Sequence, residues 1–518
     1  MKGEVPQIMA DCPISVLSSD ALEYIFWMNT ERNDNPPSAL TLVLTSQVCM
    51  SWRHLILSSP SLWGQVFDLD YFKNREFREE IIRRTGQSVI SLISRPGWPS
   101  RGGATKFEVV VSFLEQHWQR LKSIDLSFYS SEAEEWNEYK DRVWTVLQRP
   151  APFLHDFLFS SPDAFGFEDD PSNLRPPKGL VLFGNHAPQL KIFDAPELPF
   201  NPRASWLGYL RKLRFTEISA LPDLLLALQD MPLLEVLYLC NSVNPQPYLL
   251  SNWTPLPDVR LPSLKKIEMH FDVKLEGKQY LNFLRRLKPM ALCFPRFTIF
   301  AEEDTVSIEQ NLTDFIEILT IFAIFCGLDQ STSVDVGIFD DFFIFKVLVP
   351  SLTDVASINI GVGDSETTLD SRYKKAFLST LRSPSFHRMK ELSFSVQIGE
   401  VTLRQEPEVE EFIQMFQAVT RLQTSPKSAI SFQQILLDAR ATLFPLLHTI
   451  EFSSEPWGYK EYAFSVRTFV RAMLATGHPI ATISFSILNE DAVYVTEFKE
   501  EFPELQVHLE CVKPYCWE

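Results

Sequence analysis

The sequence predicts an α/β protein: three short helices at the N-terminus, then an irregular solenoid of short strands and helices. Three observations predict it. Apolar residues at helical spacing cluster in the first part of the chain. Further on, a phrase of apolar residue, Pro, any residue and Leu recurs, each copy followed by an apolar-x-apolar pair. Amphipathic helical stretches fall between the copies. At 518 residues the chain exceeds one compact core, which fits several domains or one extended array. The expected organisation is a tail over 1–14, a helical domain over 15–70, a helical linker or cap over 71–120, and the solenoid over 121–518.

The helical domain starts at Val16. Leu22, Ile25 and Phe26 fall at i, i+3 and i+4, one stripe of a helix. Ser18, Ser19 and Asp20 supply capping and first-turn chemistry ahead of it. A polar loop over 29–38 ends in Pro36-Pro37, and a second helical run carries Leu40, Val43 and Leu44. A third places Val48, Trp52 and Leu55 on one face, and Ser59-Pro60-Ser61-Leu62-Trp63 reads as a closing turn.

These residues resemble the F-box, whose pattern is L-P-x-E-[IL]-L-x-x-I-F, a linker, V-C-x-x-W-R-x-L and a terminal L-W. Leu17, Asp20, Leu22, Ile25, Phe26, Val48, Cys49, Trp52, Arg53, Leu55, Leu62 and Trp63 match it. Ser18 stands in place of the signature proline, Ala21 in place of a bulky aliphatic residue, and the linker is several residues longer. The flanks, with Arg83-Arg84-Thr85-Gly86-Gln87-Ser88 after the box, are similar to F-box proteins of mushroom-forming fungi. The resemblance implies binding to the small Skp adaptor, and through it to cullin, by Leu17, Leu22, Ile25, Phe26, Val48, Cys49, Trp52 and Leu55. A domain this small is marginal alone, so apolar residues left outside its core, with Leu17, Ile25 and Phe26 expected among them, need a partner to cover them.

The Pro-x-Leu phrase occurs at Ala151-Pro152-Phe153-Leu154, Ala187-Pro188-Gln189-Leu190 and Met231-Pro232-Leu233-Leu234. It returns at Leu261-Pro262-Ser263-Leu264, Val349-Pro350-Ser351-Leu352, Phe444-Pro445-Leu446-Leu447 and Phe502-Pro503-Glu504-Leu505. The apolar pairs that follow are Phe157/Phe159, Phe193/Ala195, Leu237/Leu239, Ile267/Met269, Ile358/Ile360, Ile450/Phe452 and Val507/Leu509. Copies without proline run Leu121-Ile124-Leu126, Leu210-Leu213-Phe215, Met389-Leu392-Phe394 and Ile480-Ile483-Phe485. Such a pair is the period-2 mark of a short strand with one face to a core. A proline just ahead fits the start of a strand, where a missing N–H costs no ladder bond.

Helical stripes intervene: Tyr280, Phe283, Leu284 and Leu287 over 279–287; Val409, Phe412, Phe416 and Val419 over 408–422; Val466, Phe469, Val470 and Met473 over 464–474. One strand and one helix per unit, stacked side by side, is how a solenoid buries its core. This region resembles the leucine-rich-repeat family. Its L-x-x-L-x-L stem is present, the Asn or Cys that follows is mostly missing, and copies are spaced from about 20 to about 60 residues against the family's 20–29. The resemblance implies parallel strands with helices on the convex side and a concave face that takes a protein substrate. A multi-domain α/β protein is the competing arrangement.

Formal net charge is −18, from 66 acidic and 48 basic residues, and no dense Lys/Arg run occurs. That balance opposes binding to phosphate backbones, so no nucleic-acid partner is expected. Cys12, Cys49, Cys240, Cys293, Cys326, Cys511 and Cys516 are scattered and odd in number, as in a reducing compartment. Met1-Lys2-Gly3-Glu4 opens without a signal core, and the apolar stretch Phe315–Leu328 is short for a span and contains Glu317. It reads as a buried helix. The expected place is intracellular, in cytoplasm or nucleus, away from membranes, and sequons at Asn252 and Asn311 then carry no meaning.

No Walker loop, nucleophile elbow, His-Glu-x-x-His or Cys-x-x-Cys occurs. Gly361-Val362-Gly363-Asp364 lacks a third glycine and reads as a turn. His508, Cys511 and Cys516 match no familiar zinc spacing and lack a fourth ligand. Acids over 406–411 read as a helix start. The expectation is a protein without catalytic residues, metal or cofactor: a substrate receptor of a ubiquitin ligase, or else a repeat scaffold whose N-terminal helices only cap the array.

Overall fold

The computed structural model describes residues 14, 17–30, 38–69, 74–94, 106–128, 133–160, 176–177, 179–196, 198, 201–216, 221–240, 256–289, 293–300, 308–328, 331, 333–339, 341–348, 355–361, 369, 371–382, 384–397, 407–430, 432, 443–453, 463–487 and 492–511. They form a mixed α/β fold of two compact units. One holds residues 1–217, 226–234 and 242–246; the other holds 218–225, 235–241 and 247–518.

The first unit opens with α1 (Ser19–Asn29), α2 (Ser38–Thr45), α3 (Met50–Ser58) and α4 (Pro60–Gln65). The turn expected at 59–63 is thus a fourth helix. Pro60 stands in its first turn, where no N–H is needed and the fixed φ is already helical. There follow β1 (Phe67–Asp68), α5 (Arg75–Thr85), β2 (Ile90–Ser94), α6 (Lys106–His117), β3 (Leu121–Ser127), α7 (Ala133–Leu147), β4 (Asp156–Ser160), β5 (Ile192–Asp194) and β6 (Lys212–Phe215). From β1 to β6 each strand pairs in parallel with the next. The sheet therefore begins ahead of residue 121, inside the segment expected to be a helical linker. Ile90 and Leu92 alternate with half-buried Ser91 and Ile93, the same period-2 signal in a copy without a proline.

The phrase Arg83 to Ser88 is a junction. Arg84 lies over the Trp63 ring at 5.3 Å, and Gly86 takes a left-handed φ of 51° to end α5. Arg120 Nη2 donates to Thr85 Oγ1 (2.8 Å) and to the Ser88 carbonyl (2.7 Å). Burial holds the Arg120 pKa below its ordinary value.

Proline precedes the strands for a different reason from the one expected. In each described copy the Leu N–H donates to the carbonyl of the residue before proline: Leu154 to Ala151 (3.3 Å), Leu190 to Ala187 (3.1 Å), Leu234 to Met231 (3.2 Å) and Leu447 to Phe444 (3.0 Å). Proline is the second residue of a closed β-turn, where its fixed φ is favourable. The residue after Leu then donates to the equivalent carbonyl one strand earlier: His155 to Lys122, Lys191 to His155, Arg211 to Lys191, each at 2.7 Å. Turn and ladder together set the register.

After β6 the chain forms α8 (Leu221–Ala227). The second unit contains β7 (Val236–Cys240), β8 (Val259–Leu261), β9 (Lys266–Asp272), α9 (Val273–Arg286), β10 (Leu287–Pro289), β11 (Phe294–Phe300), α10 (Ile308–Cys326), β12 (Ser333–Phe339), β13 (Phe342–Leu348), β14 (Val355–Gly361), α11 (Ser371–Thr380) and β15 (Glu391–Gln397). Beyond these lie α12 (Pro407–Ile413), β16 (Arg421–Thr424), β17 (Thr449–Phe452), α13 (Ala463–Ala475), β18 (Thr482–Ile487), α14 (Ala492–Glu501) and β19 (Gln506–Cys511). β8 and β10 pair with each other. The main sheet runs β7-β9-β11-β14-β13-β12-β15-β16-β17-β18-β19.

Among the described residues of this sheet, parallel pairing of successive strands holds except at one place. β14 pairs in parallel with β11, β12 with β15, and β13 lies antiparallel between them. Three strands are inserted here in reversed order, which the repeat phrase Ile358/Ile360 does not reveal. The helix expected over 408–422 stops at Ile413, and Arg421–Thr424 is a strand. Val419 and Thr420 disfavour continued helix, and Leu422 registers between Leu392 and Ile450. The last copy also departs, because Leu509 is exposed.

The stripes of α9 and α13 are buried as expected, and so are Phe315, Ile318, Leu319 and Phe322 on α10. Asn311 on α10 is buried too, whereas Asn252 and residues 362–364 lie outside the described residues. Among the described residues no helix is long and apolar enough to cross a membrane.

Candidate functional site

The N-terminal helices are held by a small aromatic core. Leu22 and Phe26 point into it from α1, Ala39 and Leu42 from α2, Ile56 from α3, and Leu62 and Trp63 from α4. Phe26 meets Trp52 edge-on at 5.0 Å between ring centres. Trp63 Nε1 donates to the Ile56 carbonyl (2.9 Å), so the indole is buried without an orphaned donor. Ser61 Oγ donates to Glu23 (2.8 Å) and ties α4 to α1.

Two positions of the F-box pattern, one departure and one match, become intelligible. Ser18, in the proline position, is the N-cap of α1, its Oγ accepting from the Ala21 N–H (3.2 Å). Cys49 is the N-cap of α3, its sulfur accepting from the Trp52 N–H (3.5 Å). A thiol in that place has a backbone role.

The candidate residues separate into three groups. Leu22 and Phe26 are core: Phe26 is only 2% exposed, which corrects the expectation that it faces a partner. The Trp52 ring packs against it edge-on. Ile25, Cys49, Trp52 and Leu55 are half-buried. Leu17 and Val48 are open, Val48 at 63%.

The structure adds residues the pattern does not name: Tyr24, Met28, Leu44, Met50 and Leu57 are exposed, Met50 at 89%. Tyr24 and Met28 lie four apart on α1, off the Leu22/Phe26 stripe, and a full helical wheel would have found them. Of 20 exposed large apolar residues in the described chain, eight lie at or before Leu57. That concentration exceeds anything a scatter of single surface apolar residues requires.

α4 behaves differently. Leu62, Trp63 and Gly64 are all buried, and a β-carbon on Gly64 would lie 2.2 Å from the Val89 carbonyl oxygen, next to β2. α4 is packed down on the sheet, while α1 to α3 each leave some apolar residues open besides those they bury.

Elsewhere the most perturbed carboxyl is Glu276 on α9, 1% exposed and pushed up to about 8 by burial. Its Oε2 accepts from the Asp272 N–H (3.2 Å), and Oε1 has no partner among the described residues. Sealed from solvent, it suits packing rather than work on a substrate. Cys293 is buried, its thiol pushed up to about 12. At the tail, His508 is an exposed residue of β19, and Cys516 lies outside the described residues.

Comparison with protein-family models yields no match, and comparison with curated proteins yields none either.

Proposed function

We propose that this chain is the substrate-recognition subunit of an SCF-type (Skp–cullin–F-box) ubiquitin ligase. The N-terminal helices bind the Skp adaptor, and the sheet-bearing region captures a protein marked for ubiquitin-dependent degradation. The observation that carries the reading is the division within the helical domain. Exposed apolar side chains stand on each of α1, α2 and α3, on the segment whose residues follow the F-box pattern, while Leu62, Trp63 and Gly64 of α4 are all buried. A domain that served only as a cap would bury its apolar residues on the first strands, as α4 does.

In this reading the chain supplies proximity, and bond-making belongs to other subunits. The adaptor contacts are Leu17, Ile25, Val48, Cys49, Trp52 and Leu55 of the expected set, joined by Tyr24, Met28, Leu44 and Met50; Leu22 and Phe26 support them from beneath. The test is co-purification of the full chain with the Skp adaptor and cullin. Retention of both supports the reading. An intact, folded chain that leaves the adaptor in the flow-through returns it to the alternative, a non-catalytic repeat scaffold without a ligase role.

A further inference from the structure

The three strands inserted in reversed order build a feature that the simple repeat lacks. On the side of the sheet opposite the buried Ile299, Ile360 and Phe343, the register sets Phe300 of β11 against Gly361 of β14, and Gly361 against Phe342 of β13. Adjacent strands are about 4.8 Å apart, so two phenylalanines about 10 Å apart flank a glycine. A β-carbon on Gly361 would sit 3.5 Å from Phe342 Cβ, so the floor is bare only because the residue is glycine. Phe300 is 39% exposed and Phe342 half-buried. Phe342 stacks on Phe339 at 4.0 Å between ring centres. Gly337 leaves room for that ring, since a β-carbon there would lie 2.7 Å from it.

Two residues below Gly361 on the same face is Asn359, between Thr298 and Ile344. Its Oδ1 is shut from solvent and meets no donor among the described residues. Asn359 as a whole is half-buried, and its side chain stands on the face of the sheet that carries the notch. Asp341, half-buried at the tip of the β12–β13 hairpin, has no ion pair among the described residues. The lysine lower on the same hairpin, Lys346, is already held by Asp335 at 3.0 Å.

An unmet acceptor, aromatic faces and an unpaired carboxylate all favour the same guest: a flat cation with several N–H donors. We propose that the notch over Gly361 takes an arginine side chain from an extended segment of a partner protein. The guanidinium lies against Phe342 and Phe300, donates to Asn359, and faces Asp341. Identification of that partner as the ligase substrate rests on the function proposed above; the notch itself does not.

The test uses the full chain and fluorescence polarisation of a fluorescein-labelled, end-capped Gly-Ser-Arg-Ser-Arg-Ser-Gly peptide. Parallel peptides carry citrulline or glutamate in place of arginine. The arginine peptide is expected to bind at least tenfold more tightly than either. Gly361→Leu, which fills the notch, should abolish that preference, and Asp341→Asn, a near-isosteric change at the hairpin tip, should weaken it severalfold and flatten its salt dependence. Ile324→Ser on α10 is the control and should change nothing. Absence of binding, equal binding of the citrulline or glutamate peptide, or an arginine preference that survives both notch variants overturns the proposal. Adaptor co-purification measured on the same preparations keeps failure of the notch separate from failure of the receptor reading.

Discussion

The backbone of Gly64 passes so near Val89 that any β-carbon at 64 would stand 2.2 Å from the Val89 carbonyl oxygen. This is backbone against backbone, and no side-chain rotation relieves it. Gly64→Ala is expected to push α4 off β2 and lower stability by about 1–3 kcal/mol, read as a fall in the denaturation midpoint. The equivalent change at exposed Gly477, where nothing lies within 4 Å but φ is 86°, should act only through backbone strain. An unshifted midpoint for Gly64→Ala would show that the helical domain is not seated on the sheet.

Adaptor binding and domain folding should separate by burial. Val48→Asp with Met50→Ser is expected to leave helicity and melting unchanged while weakening adaptor co-purification, with each lost anchor worth about 2 kcal/mol. Phe26→Ala should instead unfold the helical domain, costing about 3–5 kcal/mol. If the surface pair binds adaptor normally, the open surface has another owner.

Removal of residues 1–65 should abolish adaptor co-purification and ubiquitin transfer, while the sheet-bearing region keeps its far-ultraviolet dichroism. It should also lower the first unit's melting temperature, because Trp63, under Arg84, and Gly64 leave with the deleted segment. Ubiquitin transfer by the shortened chain would refute the division of labour.

Glu276 gives the second unit a pH dependence of unusual sign. Its folded pKa of about 8 stands above the ordinary carboxyl value of 4.5, so the folded state holds a proton that the unfolded state releases. Stability from this group is full below about pH 4.5, falls as pH rises, and levels off above about 8. Glu276→Gln keeps an acceptor for the Asp272 N–H and has no proton to lose. It is expected to match the parent at pH 5 and exceed it at pH 8 by on the order of 2 kcal/mol. Melts at the two pH values decide it: parallel curves would mean that Glu276 is ionised in the fold.

His478 should anchor the C-terminal repeats. It is buried, with Nε2 against the Leu443 carbonyl and Nδ1 within 2.8 Å of Thr476 Oγ1. His478→Ala strands a buried carbonyl and should cost about 1–3 kcal/mol in chemical denaturation. A cost below about 0.5 kcal/mol would mean that solvent replaces the imidazole.

What the sequence showed and what it hid follow from the range of the interactions involved. Strands such as Phe157/Phe159 and Ile483/Phe485 were legible because one face alone is buried, and alternation records that directly. β12 and β13 were missed. Val334 to Ile338 alternates too, but no Pro-x-Leu turn introduces it, and the choice of β15 as its neighbour is made by packing far along the chain. Phe26 was legible as helical and illegible as core, because helical spacing says which residues share a stripe without saying which stripe meets α3. Gly361 read as a turn residue; only the register shows it flanked by two phenylalanines.

The reversed insertion also bears on how the chain reaches its folded state. In an ordinary stretch, contacts across neighbouring strands join residues such as Phe394 and Thr424, 30 positions apart. At the insertion the partners are Arg296 with Val355 and Asp335 with Ser393, 59 and 58 apart, so each pair closes a loop about twice as long. Folding that spreads from one repeat to the next would halt on either side of β12–β14 and wait for a slower loop closure. The strands on its two sides would then behave as separately nucleating blocks, joined last by the segment that carries the notch.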